Sequence, residues 1–241
     1  MKYTLRLWAL GFIGMSLIST AWGGHHIVQK MHVDPIQIQG QNRPATDVTR
    51  EMWIEAERMA TYDPDQNMSM IVRLDEGKIL FVRHAEKVFH SESLPLQMPP
   101  DMQKMMAMFQ FKTDLQRTGN RKQINGWNCE EIVMTLQGFM NMNVTLWCTG
   151  DISLPFASYY KMAAEMASLT PAVREMLQKM QALGNLFPVR QEMTGTVMGV
   201  STRTTVDVVT AEEMDIPAER FAVPEGFREE KLDFHKLLSN Q

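Results

Sequence analysis

The chain has 241 residues, with 24 Lys and Arg against 28 Asp and Glu and a formal net charge of −4. A mildly acidic chain without a basic stripe is a poor partner for nucleic acid, which is held first through its phosphates. With 44% hydrophobic residues it is long enough for one sizeable core, and a leader followed by a single domain over residues 24–241 is expected.

Residues 1–23 read as a secretory signal peptide. Lys2 and Arg6 form a positive start, and LWALGFIGMSLIS supplies an apolar run too short to span a bilayer by itself. Small residues follow, so cleavage is expected after Ala21 or after Gly23. The rival reading is an uncleaved anchor. The expected location is the periplasm. No cysteine lies near the junction for lipid attachment, and no later segment is apolar for long enough to form an anchor. Losing Lys2 and Arg6 leaves the mature chain more acidic by two charges.

Next, HHIVQKMHVDPIQIQG alternates as a strand interrupted at Pro35. Five short strands are then predicted, roughly 47–55, 57–62, 67–74, 78–83 and 86–90. Turn residues separate them at Asp63-Pro64-Asp65, Asp75-Glu76-Gly77 and His84-Ala85. This is a meander and not an α/β alternation. A Pro-rich break at 91–100 precedes a short helix candidate, DMQKMMAMF. Strands resume with a turn expected at Gly119-Asn120. Two helices follow the next hairpin, SLPFASYYKMAAEMASL and PAVREMLQKMQAL, the second opened by Thr170-Pro171 and closed by Gly184. Two long strands and a short tail complete the chain. The expected fold class is α+β: a large, curved antiparallel sheet, a half-barrel, with a few helices packed on or capping its concave face.

The two cysteines are nineteen positions apart. If 126–149 is a hairpin with its tip near Gly138-Phe139, Val133 faces Val144 and Cys129 faces Cys148. Directly opposed residues lie within disulfide reach, so a structural cross-strand bridge is expected in an oxidising compartment. Two free buried thiols or a redox pair are the alternatives, and the spacing is not C-x-x-C.

Several segments in a fixed order resemble the exported bacterial family called domain of unknown function 4412. They are Trp53-Ile54, the charged turn Asp75-Glu76-Gly77, Gly119 to Cys129, Trp147 to Asp151, and the terminal Phe221 to Phe227. The resemblance implies a fold similar to carriers of the LolA/LolB type and LppX-like lipid binders, which are half-barrels closed by helices over an apolar cavity.

Methionine is abundant, 22 of 241 residues. Met162 and Met166, and Met176 and Met180, have i, i+4 spacing, so each pair shares a helix face. Core packing, a plastic lining for acyl chains, and thioether coordination of Cu(I) all fit this pattern. His25 and His26 would follow Gly24 in a chain cut after Gly23, where a free amine with histidine third can hold Cu(II). His84 and His90 are expected at the surface or in turns. Arg50, Arg58, Arg73 and Arg83 read as ordinary solvent-face charges, or else as contacts for an anionic headgroup. Catalytic signatures are missing: there is no G-x-S-x-G, H-E-x-x-H or phosphate-cradling glycine loop, and adjacent Glu130 and Glu131 point to opposite faces of a strand.

The expected function is a periplasmic, non-catalytic binding module for a lipid, an acylated protein or another hydrophobic ligand, without a cofactor. Apolar contact is expected from Trp53, Met105, Met108, Phe109, Phe156, Met162, Met166, Met176 and Met180. The alternatives are a copper-handling protein using methionine and histidine, and a structural or interaction protein with a filled core.

Overall fold

A computed structural model describes residues 23–38, 41–97, 111–138, 141–166, 171–197 and 200–231. The helix expected over 101–109, with Met105, Met108 and Phe109, and the leader through residue 22 lie outside the described residues. Among the described residues there are fourteen strands. β1 is Gly24–Val33, β2 Ile36–Ile38, β3 Gln41–Arg43, β4 Thr46–Ile54, β5 Arg58–Asp63, β6 Met68–Arg73, β7 Lys78–Arg83 and β8 Val88–Ser93. β9 is Phe111–Ile124, β10 Trp127–Gly138, β11 Asn141–Thr149, β12 Phe187–Val197, β13 Val200–Met214 and β14 Arg228–Glu229. Among the described residues two α-helices, α1 (Phe156–Met166) and α2 (Pro171–Ala182), interrupt them, and a short 3-10 turn covers Ala218–Phe221.

Twelve strands form one sheet in the order β14-β8-β7-β6-β5-β4-β1-β13-β12-β11-β10-β9, and β2 pairs with β3 separately. All pairings in the large sheet are antiparallel except β14 on β8. The sheet is open, with β14 and β9 at its two edges. It also curls. Asn125, at the β9–β10 turn, donates its Nδ2 to the carbonyl of Val208 in β13, 2.8 Å away. In a flat sheet β10 and β13 would be three spacings apart, about 14 Å, so this end folds toward itself. The α+β class and a large curved sheet are therefore as expected.

The meander has a ten-residue rhythm. β5 through β8 are six-residue strands joined by four-residue turns, and the fourth turn residue has a positive φ each time: Asn67 at 48°, Gly77 at 63° and Lys87 at 53°. In each turn the fourth residue's N–H donates to the first residue's carbonyl. Asparagine and glycine suit that backbone, and lysine does not.

The turn expected at Gly119-Asn120 is a correction. β9 runs on through Ile124, and the reversal comes at Asn125-Gly126, with φ of 49° and 92°. Asn-Gly is the preferred pair for a two-residue hairpin because both positions need positive φ. Gly119, with φ 84°, instead sits in a bulge. There Arg117 opposes Ile132 and Arg121 opposes Glu130, so residues 118–120 face Glu131 alone. The Glu131 carboxylate closes the bulge by accepting from Thr118 Oγ1 and Asn120 Nδ2, both at 2.7 Å. Those two hydrogen bonds lower its pKa.

Alternation sorts side chains onto three apolar clusters. Ile54, Met59, Val72 and Ile79 oppose one another across β4–β7 and join Ile27, Val189, Val208, Phe156, Tyr160 and Met162. Their neighbours Trp53, Ala60, Ile71 and Leu80 face the other way and are covered by Phe221, Val223 and Phe227 of the tail. A third cluster, Ile132, Met134, Val144, Leu146 and Cys148, lies against Met176, Met180, Leu183 and Leu186. Pro171 opens α2 and Gly184, with φ 101°, follows it, as the sequence implies. Among the described residues, no helix is long and apolar enough to cross a membrane.

The repeated turn makes a direct test. A Cβ at Gly77 would meet nothing within 4 Å, so Gly77→Ala should lose about 1–2 kcal/mol from the backbone alone. Lys87→Gly should gain up to about 1 kcal/mol. Urea midpoints measured at unchanged m-value check both.

Candidate functional site

The space between α1 and the sheet is filled. Phe156 and Tyr160 are each 7% exposed and Met162 is fully buried, packed among strand side chains. Met166 closes α1, and its side chain lies outside the described residues. Met176 and Met180 are half-buried on the third cluster, and Met180 also touches the first. Phe156, Met162 and Met180 are therefore brought together, in and against one packed cluster. Trp53 is not. It points to the opposite face from Ile54, where its ring stacks on His26 (5.2 Å) with the Arg220 guanidinium 4.4 Å from its centroid. The physical reason is strand alternation: of two adjacent residues, only one can face the helices.

The disulfide between Cys129 and Cys148 is also a correction. β10 and β11 pair one residue away from the expected register, so Glu130 opposes Cys148 and Val133 opposes Thr145. A slip of one residue moves a side chain to the other face. Cys129 thus packs with Trp147 in the first cluster and Cys148 with Leu146 in the third, both as free thiols. Burial raises the pKa of Cys129, and burial followed by the Glu130 charge pushes Cys148 up to about 12.

The alternative of a copper-holding terminus at His25 and His26 meets a paired strand. β1 is paired on both sides across His25 and His26, with β13 and with β4, so their amides lie in ladders and are not free ligands. His25 is buried, and His26 Nε2 sits 2.9 Å from Glu51 Oε2. His90, expected at the surface, is buried in β8, and its Nδ1–H donates to the Glu230 carbonyl at 2.9 Å. His84 is half-buried, within 2.7 Å of Ser69 Oγ, and burial lowers its pKa. Among the described residues no group of three or more His, Cys, Asp or Glu could hold a metal ion. Arg50, Arg58, Arg73 and Arg83 are all half-buried and ion-paired, with Asp63, Glu55, Asp75 and Glu86 respectively. Arg58 also lies over the Phe221 ring and Arg73 donates to the Phe221 carbonyl, so these two are covered by the tail and are not solvent-face charges.

An open space lies elsewhere. A cavity of about 620 Å³ is lined by Arg117, Arg121, Lys122, Gln123, Asn128, Cys129, Glu130, Cys148, Gly150 and Leu186. The ladder explains the wall. Arg117, Arg121, Gln123, Asn128 and Glu130 share one face with Cys148. Lys122 faces the other way, its ammonium 3.7 Å over the Trp147 ring. Arg117 pairs with Glu130 at 3.4 Å and also donates to the Leu183 carbonyl just past α2. Asp151 steadies the far side by accepting from the Asn128 backbone N–H at 2.9 Å. The floor is apolar: Cys148 and Leu186 both belong to the third cluster. Of these cavity residues only Cys129, Cys148 and, as one of two adjacent carboxylates, Glu130 stood out in the sequence. The one signal available was the Asn125-Gly126 turn, which sets the β9–β10 register and with it the basic wall.

Fold and site together define an open antiparallel-sheet domain of α+β class, with two helices and a cavity that is polar at its wall and apolar at its floor. The chain belongs to the family described as Domain of unknown function (DUF4412), which matches residues 45–227. No curated protein sequence matches it. Among solved structures, PNGF-II aligns with 88% of this chain and 32% of its own, at 10% identity and a TM-score of 0.39. An uncharacterized conserved protein from Thermus thermophilus aligns over 85% and 90%, at 8% identity and 0.43. MucB aligns over 85% and 58%, at 8% identity and 0.39. The chain thus spans about a third of PNGF-II and under two thirds of MucB. At such scores these likenesses say nothing of ligand or activity.

The cysteine assignment has a simple check. With both thiols buried and neutral, neither should react with a thiol reagent in the native protein at mildly alkaline pH. Both should react after unfolding without reductant. A denatured protein lacking reactive thiols would restore the bridge.

Proposed function

We propose that the protein is an exported, non-catalytic binding module of the periplasm, a LolA-like half-barrel that holds a lipid or the acyl part of a larger ligand. One observation carries this: the cavity shares Cys148 and Leu186 with the third cluster. On that cluster Met176, Met180, Leu183 and Leu186 of α2 and its exit are only partly buried. Methionine is flexible and polarizable, so such a surface can repack around chains of varied shape. The cavity volume falls in the range of small-ligand sites. The apolar part of the ligand then lies along α2 and Leu186, and not beneath α1, where Phe156, Tyr160 and Met162 already fill the space.

The rival reading is a structural or interaction domain, favoured by that filled first cluster. Native mass spectrometry of protein prepared from the periplasm without detergent separates the two. The expected result is a lipid adduct released on denaturation. Leu186→Trp, which fills the floor, should abolish the adduct. Met162→Ala should destabilise the fold by about 2–5 kcal/mol yet keep the adduct in the folded fraction. A clean apo mass, together with a stable protein partner on pull-down, would sink the carrier reading.

A further inference from the structure

Building on the binding reading, we infer that the wall of this cavity is a site for a phosphate-type oxyanion, which makes the ligand an anionic amphiphile. The bulge is the device that builds it. Arg117 and Arg121 are four residues apart in sequence, a separation of about 13 Å along an unbroken strand. The bulge places them opposite Ile132 and Glu130, two rungs apart and roughly 7 Å along the strand, with both on the cavity face. Two guanidinium groups at that spacing can converge on one tetrahedral anion, and their planar forks match phosphate geometry.

The charges around the site favour an incoming anion. Arg121 makes no ion pair or hydrogen bond with any described residue, although it lines the cavity. Among the described lining residues Glu130 is the one carboxylate, and it is engaged by Arg117. Asp151, nearby, is turned onto Asn128. Lys122 adds positive charge from the opposite face while its ammonium stays over Trp147. Gln123 and Asn128 supply neutral polar groups on the same face. This positive wall belongs to a chain of net charge −4, so it is a local arrangement and not a reflection of bulk charge. Edge-strand protection alone would ask for charges along the strand, but it does not ask for two arginines to be drawn together over a hollow.

Arg117 couples the wall to the helix. Its guanidinium holds both Glu130 and the Leu183 carbonyl at the end of α2. An anion that recruits Arg117 competes with both, so headgroup binding loosens the C-terminal tie of the helix that covers the apolar floor. Removing the Glu130 charge should therefore tighten anion binding, while removing Arg121 should weaken it without breaking an ion pair or side-chain hydrogen bond among the described residues.

Isothermal titration with three probes tests this: dihexanoyl phosphatidylglycerol, dihexanoyl phosphatidylcholine and inorganic phosphate, each lipid below its micelle concentration. Circular dichroism confirms that each variant is folded. The phosphatidylglycerol probe should bind at least about tenfold more tightly than the phosphatidylcholine probe, the size of one charge-assisted contact. Arg121→Gln should weaken phosphatidylglycerol binding most and narrow that difference, with a smaller loss for phosphatidylcholine, whose phosphate is offset by its choline cation. Glu130→Gln should enlarge the difference, and added salt should shrink it. Equal affinity for both lipids, unmoved by Arg121→Gln, overturns the oxyanion site and leaves the binding module standing. Binding of inorganic phosphate as tight as that of the phosphatidylglycerol probe, and sensitive to Arg121→Gln, upholds the oxyanion site but overturns the amphiphile. No binding of any probe overturns both.

Discussion

The rest of the structure depends on strand alternation in a sheet that is covered on both faces. One buried face is enough to specify a register, and here apolar residues on both faces do so. Across β4 to β7, Ile54, Met59, Val72 and Ile79 serve the helix-side core while Trp53, Ala60, Ile71 and Leu80 serve the tail-side core. A slip of one residue would exchange the two sets and present the wrong volumes to both partners. The meander meets this demand with turns of constant length. Three successive four-residue connections preserve the parity of each strand, so six-residue strands repeat without drift.

The other half of the sheet uses the same constraint differently. Long strands β9 to β13 accumulate register shifts: one at Glu130/Ile132, one at Trp147/Cys148 and one at Val28/Gln29. Bulges strengthen local twist and bend the strand that carries them. Here they accompany the curl that brings the Asn125 side chain to Val208. They also re-aim side chains. The β9 bulge gathers Arg117 and Arg121 on one wall, and α2, tied down by Arg117 at its end and by Lys179 to the Thr113 carbonyl, lies beside them. Cavity, bend and basic wall therefore share an origin in the same few irregular rungs.

Much of the architecture was legible in the sequence. Strand runs bounded by Asp-Pro-Asp and Asp-Glu-Gly, and a helix opened by proline and closed by glycine, are local signals, and the structure places those elements as expected. The order of weak motifs from Trp53 to Phe227 was enough to suggest the family. Legibility failed where two local signals competed. Gly119-Asn120 and Asn125-Gly126 both read as turns, and only pairing with β10 decides that the first is a bulge. A separate error reached the cysteines, because a β10–β11 register counted one residue off placed Cys129 opposite Cys148. The unread bulge hid the site, since no counting from the sequence would bring Arg117 and Arg121 together.

The sequence by itself determined the class of the fold, the order and type of its elements, and the excess of methionine available for an apolar surface. These follow from periodicity and turn chemistry, which act over a few residues. Tertiary structure alone decided which face each residue serves. Trp53 went under the tail and not under a helix, Met162 became closed core, Met176 and Met180 stayed half open, and the two thiols were divided between clusters. Each outcome rests on register and curl, which are set by pairing partners far apart in the chain.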